Sequence, residues 1–194
     1  MECKICRSKT KLLNGFYHCL NCNFIMKKNI VSEEAEKNRY LLHKEGEDYF
    51  KYLHNLFKDY LKKDDIILDF GSGKSNALAQ SFPKYNITSY DYYFNQVAYD
   101  DKKYDVIILN EVIEHIEYPL EVLENLRKML KEEGFILIQT GLTDKIEDIN
   151  KWWYTRDITH ISFFSLNTFS YIAQKLNLNL IKKDQFIILR NKYS

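Results

Sequence analysis

The sequence predicts an α/β protein with a doubly wound, mainly parallel sheet over residues 64–194. A small four-cysteine unit over 1–28 precedes it, and a helical connector over 29–63 joins the two. Three observations carry that prediction. Short apolar runs alternate with amphipathic segments from Ile66 onward, the pattern of a parallel sheet wrapped by helices. A glycine turn, Gly71-Ser72-Gly73, stands between the first of these runs and the next helix. All four cysteines lie within the first 22 residues, as Cys3-x2-Cys6 and Cys19-x2-Cys22. The length of 194 residues suits one or two domains of about 150 residues, and 45% hydrophobic with 28% charged residues is the composition of a globular protein.

The cysteine unit comes first in the chain. Two CxxC pairs twelve residues apart let two turns converge on one tetrahedral ion, and a segment this short has no core of its own to fold on. A structural zinc held by Cys3, Cys6, Cys19 and Cys22 is expected, with no open position for catalysis. Disulfides suit the sequence poorly, since Met1–Leu13 has no apolar signal region, and the spacing alone does not separate zinc from iron. Next, Ser32-Glu33-Glu34 is a capping serine followed by first-turn acids, so a helix runs from there toward His43. Gly46 breaks it, and Tyr49, Leu53, Leu56 and Tyr60 form the apolar stripe of a second helix.

From Ile66 the elements alternate. Ile66–Phe70 is a buried strand, the glycine turn leads into a helix reaching about Phe82, and Ile87–Asp91 is the second strand. Tyr104–Asn110 is a strand, Pro119 sits at a first helical position, and that helix runs through Leu130 toward Gly134. Phe135–Thr140 is a strand and Asn167–Leu176 a helix. Leu178–Lys183 and Phe186–Arg190 close the chain as an antiparallel hairpin. Only twelve residues separate Asp91 from Tyr104, too few for a helix and a strand together, so the third β/α unit is shortened.

Charge bears on partners. Residues 1–31 carry six basic side chains and one acid, a net of +5 against +1 for the whole chain, so the remainder carries −4. A near-neutral total argues against strong non-specific nucleic-acid binding. No apolar run approaches the roughly 18 residues of a membrane span, and a cytoplasmic protein without membrane association is expected. Oligomeric state leaves no mark in the sequence.

The glycine turn is where the first chemistry is read. Gly71-Ser72-Gly73-Lys74-Ser75 ends like a phosphate loop, but that loop's first glycine would fall at Leu68; a dinucleotide GxGxxG would need its last glycine at Asn76. Asp69 would repel a pyrophosphate. It suits an ammonium instead, so S-adenosylmethionine is the better ligand. Asp91, 18 residues past Gly73, is placed for the two ribose hydroxyls.

At these residues the chain resembles class I S-adenosylmethionine-dependent methyltransferases, which have a Rossmann-like sheet. The resemblance rests on Ile67–Gly73, Asp91, Tyr104–Ile107 leading into Glu111-Val112-Ile113-Glu114-His115, Gly134–Ile138, and the closing hairpin. It implies that Asp69, Phe70, Gly71, Ser72 and Gly73 hold the methionine end of the cofactor, that Asp91 and Tyr92 lie at the ribose, and that Asn110 and Glu111 lie beside the transferred methyl. Adenine contacts would fall in the short 92–103 segment, where Asp100 and Asp101 are candidates. The whole chain is similar to bacterial methyltransferases carrying an N-terminal four-cysteine ribbon.

Glu111, Glu114 and His115 would share one face of a helix starting after Asn110. With His160 from the loop after the Phe135 strand, they form a mixed set suited to Mg²⁺, Mn²⁺ or Fe²⁺. The pattern resembles metal-dependent O-methyltransferases acting on benzoquinol precursors and on the 3′-terminal ribose of small RNAs. The alternatives are a metal-free His115 acting as general base and a purely structural pair. Trp152, Trp153, Tyr154 and Arg156 would form a substrate-side lid, with Arg39, Tyr40 and His43 closing the other side. The sequence thus points to methyl transfer onto an unidentified acceptor (RNA, protein or small metabolite), with oxygen favoured and metal assistance open. The rival reading is a ribbon-centred RNA- or protein-binding module whose larger domain is a scaffold or cofactor sensor.

Overall fold

A computed structural model describes residues 1–42 and 46–192. Three short strands open the chain: β1 (Thr10–Leu13), β2 (Phe16–Cys19) and β3 (Ile25–Lys27). Leu13 pairs with Phe16 across Asn14-Gly15, whose positive φ values of 47° and 87° are those of a two-residue hairpin turn. Helix α1 (Glu33–Leu41) is capped by the Ser32 hydroxyl, which accepts from the Ala35 amide, and it buries none of its residues. Helix α2 (Glu47–Phe57) buries Leu53 and Phe57.

The main sheet has six strands in the order β5-β4-β6-β7-β10-β9. These are β4 (Ile66–Phe70), β5 (Asn86–Tyr90), β6 (Tyr104–Asn110), β7 (Leu130–Gln139), β9 (Leu178–Lys183) and β10 (Phe186–Asn191), with β8 (Ser162–Phe163) lying elsewhere. β5, β4, β6 and β7 run parallel, and β10 and β9 are antiparallel. Helices α3 (Ala77–Ser81), α4 (Pro119–Lys128) and α5 (Leu166–Lys175) complete the chain. The expected mixed α/β sheet with its terminal hairpin is present. The third unit is shortened further than expected: residues 91–103 contain neither helix nor strand, only a bridge between Asp91 and Asn95, and β5 becomes the sheet edge.

Two boundaries differ from expectation. The helix after the glycine turn starts only at Ala77, because Asn76 takes a left-handed conformation. The Pro119 helix ends at Lys128, and β7 begins at Leu130 opposite Tyr104 with an irregular register before Val106. Gly134 permits that irregularity, since a Cβ there would lie 2.8 Å from the Tyr104 carbonyl oxygen.

Alternate side chains of the strands feed two cores. Ile67, Val106, Ile108 and Leu137 pack with α2 residues and Phe82 on one face. Leu68, Ile107, Leu109, Ile136 and Ile138 pack with Phe169 and Ile172 on the other, and that core continues into Cys3, Ile5, Phe24 and Met26. The N-terminal strands are joined to the rest by pairing of β3 with β8, Ile25 to Phe163 and Met26 to Ser162. The Thr168 hydroxyl donates to the Cys22 carbonyl at 2.8 Å. No described helix is long and apolar enough to cross a membrane.

Candidate active site

The carboxyl end of the parallel strands opens into a cleft of about 1510 Å³, where ligands bind in open α/β sheets. Gly71 and Ser72 donate their amides to the Tyr90 carbonyl. Gly71 has φ +85°, and a Cβ there would lie 2.5 Å from the Val112 side chain, so only glycine fits. Gly73 (φ 67°) donates its amide to Asp91 Oδ2 at 2.9 Å, while the Tyr93 and Phe94 amides donate to Asp91 Oδ1 at 2.9 and 3.1 Å. Asp91 therefore ties the glycine turn to its own loop. Its remaining acceptor capacity lies on Oδ2, since a carboxylate oxygen takes about two hydrogen bonds.

Asp69 is buried at the end of β4. Asp69, Phe70, Gly71, Ser72, Gly73, Asp91, Tyr92, Asn110 and Glu111 all line the cleft. Asn110 Oδ1 is buried without a hydrogen-bond partner among the described residues. A buried acceptor in that state costs about 1–3 kcal/mol, and a cationic or N–H-bearing ligand end would relieve it. Asp100 and Asp101 are exposed and do not line the cleft. The groups there are aromatic instead: Tyr99 lies 4.3 Å from Tyr90 and 5.7 Å from Phe70 between ring centroids. Sequence reasoning missed Tyr99; the signal was an aromatic in a segment too short for its own strand.

Glu111 departs from the expected helix. It has φ 53°, and only one 3-10 turn, Ile113–His115, follows. A common helical face over 111, 114 and 115 therefore does not form. Glu114, His115 and His160 do converge, each with a ligand atom within 4.8 Å of the others; Glu111 is not in that group but is linked to it through Tyr154. The Tyr154 hydroxyl lies 2.6 Å from Glu114 Oε1 and 2.9 Å from Glu111 Oε2. One hydroxyl proton serves one of these contacts, so the other requires a proton on a carboxyl. Burial and the neighbouring Glu111 push Glu114 up to about 8, and burial raises Glu111 as well. Thr140 donates to the other Glu114 oxygen at 2.9 Å.

Both imidazoles are fixed by backbone. His115 Nδ1 lies 3.1 Å from the Thr159 carbonyl and His160 Nδ1 lies 2.9 Å from the Tyr154 carbonyl. A carbonyl only accepts, so each Nδ1 carries the proton and Nε2 is the acceptor nitrogen of the neutral ring. The two rings meet edge to face at 4.7 Å. Burial lowers the His160 pKa, favouring the neutral form. Asp157 is raised by burial, but hydrogen bonds from the Thr159 hydroxyl and amide outweigh this and hold it at about 2; it also pairs with Arg39 at 2.7 Å.

The expected aromatic lid is mostly internal. Tyr154 is buried, its hydroxyl taken by carboxylates. Trp152 is half-buried, stacked on Tyr154 at 4.8 Å, and a Cβ on Gly141 would lie 2.7 Å from its ring. Trp153 alone is 68% exposed, and it borders a smaller groove with Arg39, Arg156, Ile158 and His160. Tyr40 lines the main cleft with its ring edge to face on His115 at 5.3 Å. His43 lies outside the described residues.

The four cysteine sulfurs cluster 3.3–3.6 Å apart: Cys6 to Cys19 at 3.3 Å, Cys3 to Cys22 and Cys19 to Cys22 at 3.6 Å. A tetrahedron with Zn–S bonds of about 2.3 Å has edges of about 3.8 Å, so the donor set and its spacing fit one ion. The Ile5 and Cys22 amides point at Cys3 and Cys19 sulfurs, which stabilises thiolates.

A family model described as a methyltransferase domain matches residues 41–183. Among solved structures, the pyocyanin biosynthetic protein PhzM is similar at 13% identity and TM-score 0.58, over 80% of this chain and 58% of that one. An O-methyltransferase family protein from Burkholderia thailandensis is similar at 12% identity and TM-score 0.53, over 82% of this chain and 63% of its own. This chain thus spans less than two thirds of the length of either. The 1,6-didemethyltoxoflavin-N1-methyltransferase of Burkholderia thailandensis, solved with its substrate and S-adenosylhomocysteine, is similar at 10% identity and TM-score 0.55, over 91% of this chain and 99% of that one. At these identities the likeness shows the fold. No curated protein matches the chain.

Proposed function

Because the chain belongs to the methyltransferase-domain family, we propose that it transfers a methyl group from S-adenosylmethionine to an oxygen of its acceptor, with His115 as the general base. The observation that carries this reading is the meeting, in one cleft, of the glycine turn latched to Asp91 with two imidazoles whose Nδ1 atoms are both held by carbonyls. When bound, the cofactor supplies an activated methyl on a sulfonium. Asp69 and the unpartnered Asn110 Oδ1 would hold its ammonium end, Asp91 the ribose, and Phe70, Tyr90 and Tyr99 would provide the apolar wall for adenine. Bound there, the cofactor would supply its methyl to an acceptor oxygen, and His115 Nε2 would take the acceptor's proton. Thr159 keeps that imidazole in the tautomer the step needs.

A second reading of the same centre is metal assistance, favoured by the convergence of Glu114, His115 and His160. Two imidazoles and a carboxylate suit Mn²⁺ or Fe²⁺ better than Mg²⁺, and Glu114 would have to lose its proton to join. In the N-terminal unit, Cys3, Cys6, Cys19 and Cys22 hold a structural zinc.

Calorimetric titration of S-adenosylhomocysteine, with and without Mn²⁺, tests these readings. Binding unchanged by the metal, with His115→Ala keeping affinity and losing turnover, supports the base. Heat that grows with Mn²⁺ supports the metal. Absence of binding in both buffers refutes the enzyme.

A further inference from the structure

The acceptor half of the cleft has a charge pattern of its own. Helix α1 lies over it and presents Glu33, Glu36 and Tyr40 from one face. Glu36 Oε1 accepts from the Tyr40 hydroxyl at 2.6 Å and Oε2 from the Tyr93 hydroxyl at 2.9 Å. The two rings are tilted 52° with centroids 5.7 Å apart, and His115 lies against Tyr40. One carboxylate thus holds two tyrosine rings in place beside the proposed base, and the hydrogen bonds it accepts from their hydroxyls leave the rings electron-rich.

Two other acids lining the cleft already have cations. Asp157 pairs with Arg39 and Glu117 with Lys4. Among the described residues no lysine or arginine pairs with Glu33 or Glu36. Lys74, beside the glycine turn, is the sole lysine or arginine among the described residues lining the cleft. A polyanion would enter against uncompensated carboxylates, whereas a cation would meet counter-charge and aromatic faces together.

We infer that the acceptor is a small molecule carrying an ammonium group, seated on the Tyr40 and Tyr93 rings with Glu33 and Glu36 as its counter-charge. This rests on the methyltransferase reading, and it places the cation as an anchor separate from the oxygen that takes the methyl. The ligand's charge would add to the Arg39–Asp157 and Glu36–Tyr93 contacts that already join this helix to the body.

The test uses the full chain saturated with S-adenosylhomocysteine and two isosteric probes, choline and neutral 3,3-dimethyl-1-butanol, with affinities measured by ligand-detected NMR. Choline binding about tenfold or more tighter than the alcohol is expected for a desolvated cation–π site with a counter-charge. The preference should collapse in Glu33→Gln/Glu36→Gln, whose amide at 36 still accepts from one tyrosine hydroxyl through its oxygen and donates to the other through its nitrogen, while affinity for S-adenosylhomocysteine stays unchanged. Equal affinity for the two probes, or a preference that survives the double substitution, overturns the inference while leaving the methyltransferase reading intact. Tighter binding of a short oligoribonucleotide than of choline overturns it in favour of an anionic acceptor. Failure of S-adenosylhomocysteine itself to bind removes both readings together.

Discussion

Replacing Glu114 by glutamine isolates the proton that the Tyr154 contacts require. Glu114 is fully buried, with one oxygen on Tyr154 and the other on Thr140. Its folded value of about 8 lies above its ordinary 4.5. The folded state therefore binds the extra proton between those two values, so stability falls as pH rises from about 4.5 to 8 and is flat above. Over that whole window the linkage amounts to about 5 kcal/mol, and between pH 5.5 and 8.5 to about 3 kcal/mol. A glutamine mimics the protonated side chain: its oxygen accepts from Thr140 and its amide donates to the Tyr154 oxygen. Urea denaturation of Glu114→Gln at pH 5.5 should give a midpoint close to the parent's. At pH 8.5 the variant should be the more stable by about 3 kcal/mol. Parallel pH profiles for the two proteins would refute the reasoning, because Glu114 would then hold no extra proton in the folded state.

Gly71→Ala forces a side chain into a left-handed position against Val112; it should weaken S-adenosylhomocysteine binding by about 100-fold, a loss near 3 kcal/mol, read by calorimetry. Asp91→Ala removes the acceptor for three amides and should abolish cofactor binding while circular dichroism shows the fold retained. Cys19→Ser should lower bound zinc from one per chain to none by mass spectrometry, and with it the stability of the N-terminal unit by several kcal/mol. Trp153→Ala, at an exposed ring, should change stability by less than about 0.5 kcal/mol, as thermal melting would record.

How far the sequence alone reaches is seen residue by residue. The parallel strands β4, β6 and β7 are legible because buried parallel strands are near-continuous apolar runs, and the glycine turn is legible because its positive φ admits few other residues. The four cysteines converge as their spacing requires. Glu111 is different: three acidic or basic residues at helical spacing look like one face, but the chain turns left-handed at 111, beside Val112, which packs against Gly71. Tyr154 beside two tryptophans reads as a surface stacker, yet its hydroxyl is drawn inward by a carboxyl pair that only the tertiary fold brings together. Tyr93 and Glu36, 57 residues apart, carry no local signal at all. Side chains whose partners are distant in sequence are invisible to periodicity.

The pairing of β3 with β8 sets a timetable for biosynthesis. β3 leaves the ribosome before β8, and its outer edge lacks its partner until Ser162 and Phe163 follow, roughly 135 residues later. At about 5–20 residues per second that interval is roughly 7–27 s. During it a strand bearing Ile25 and Met26 presents open backbone groups, the condition under which edges recruit foreign strands. The β3 edge is open to such recruitment for that interval, and a slow stretch of translation before residue 160 would lengthen the exposure.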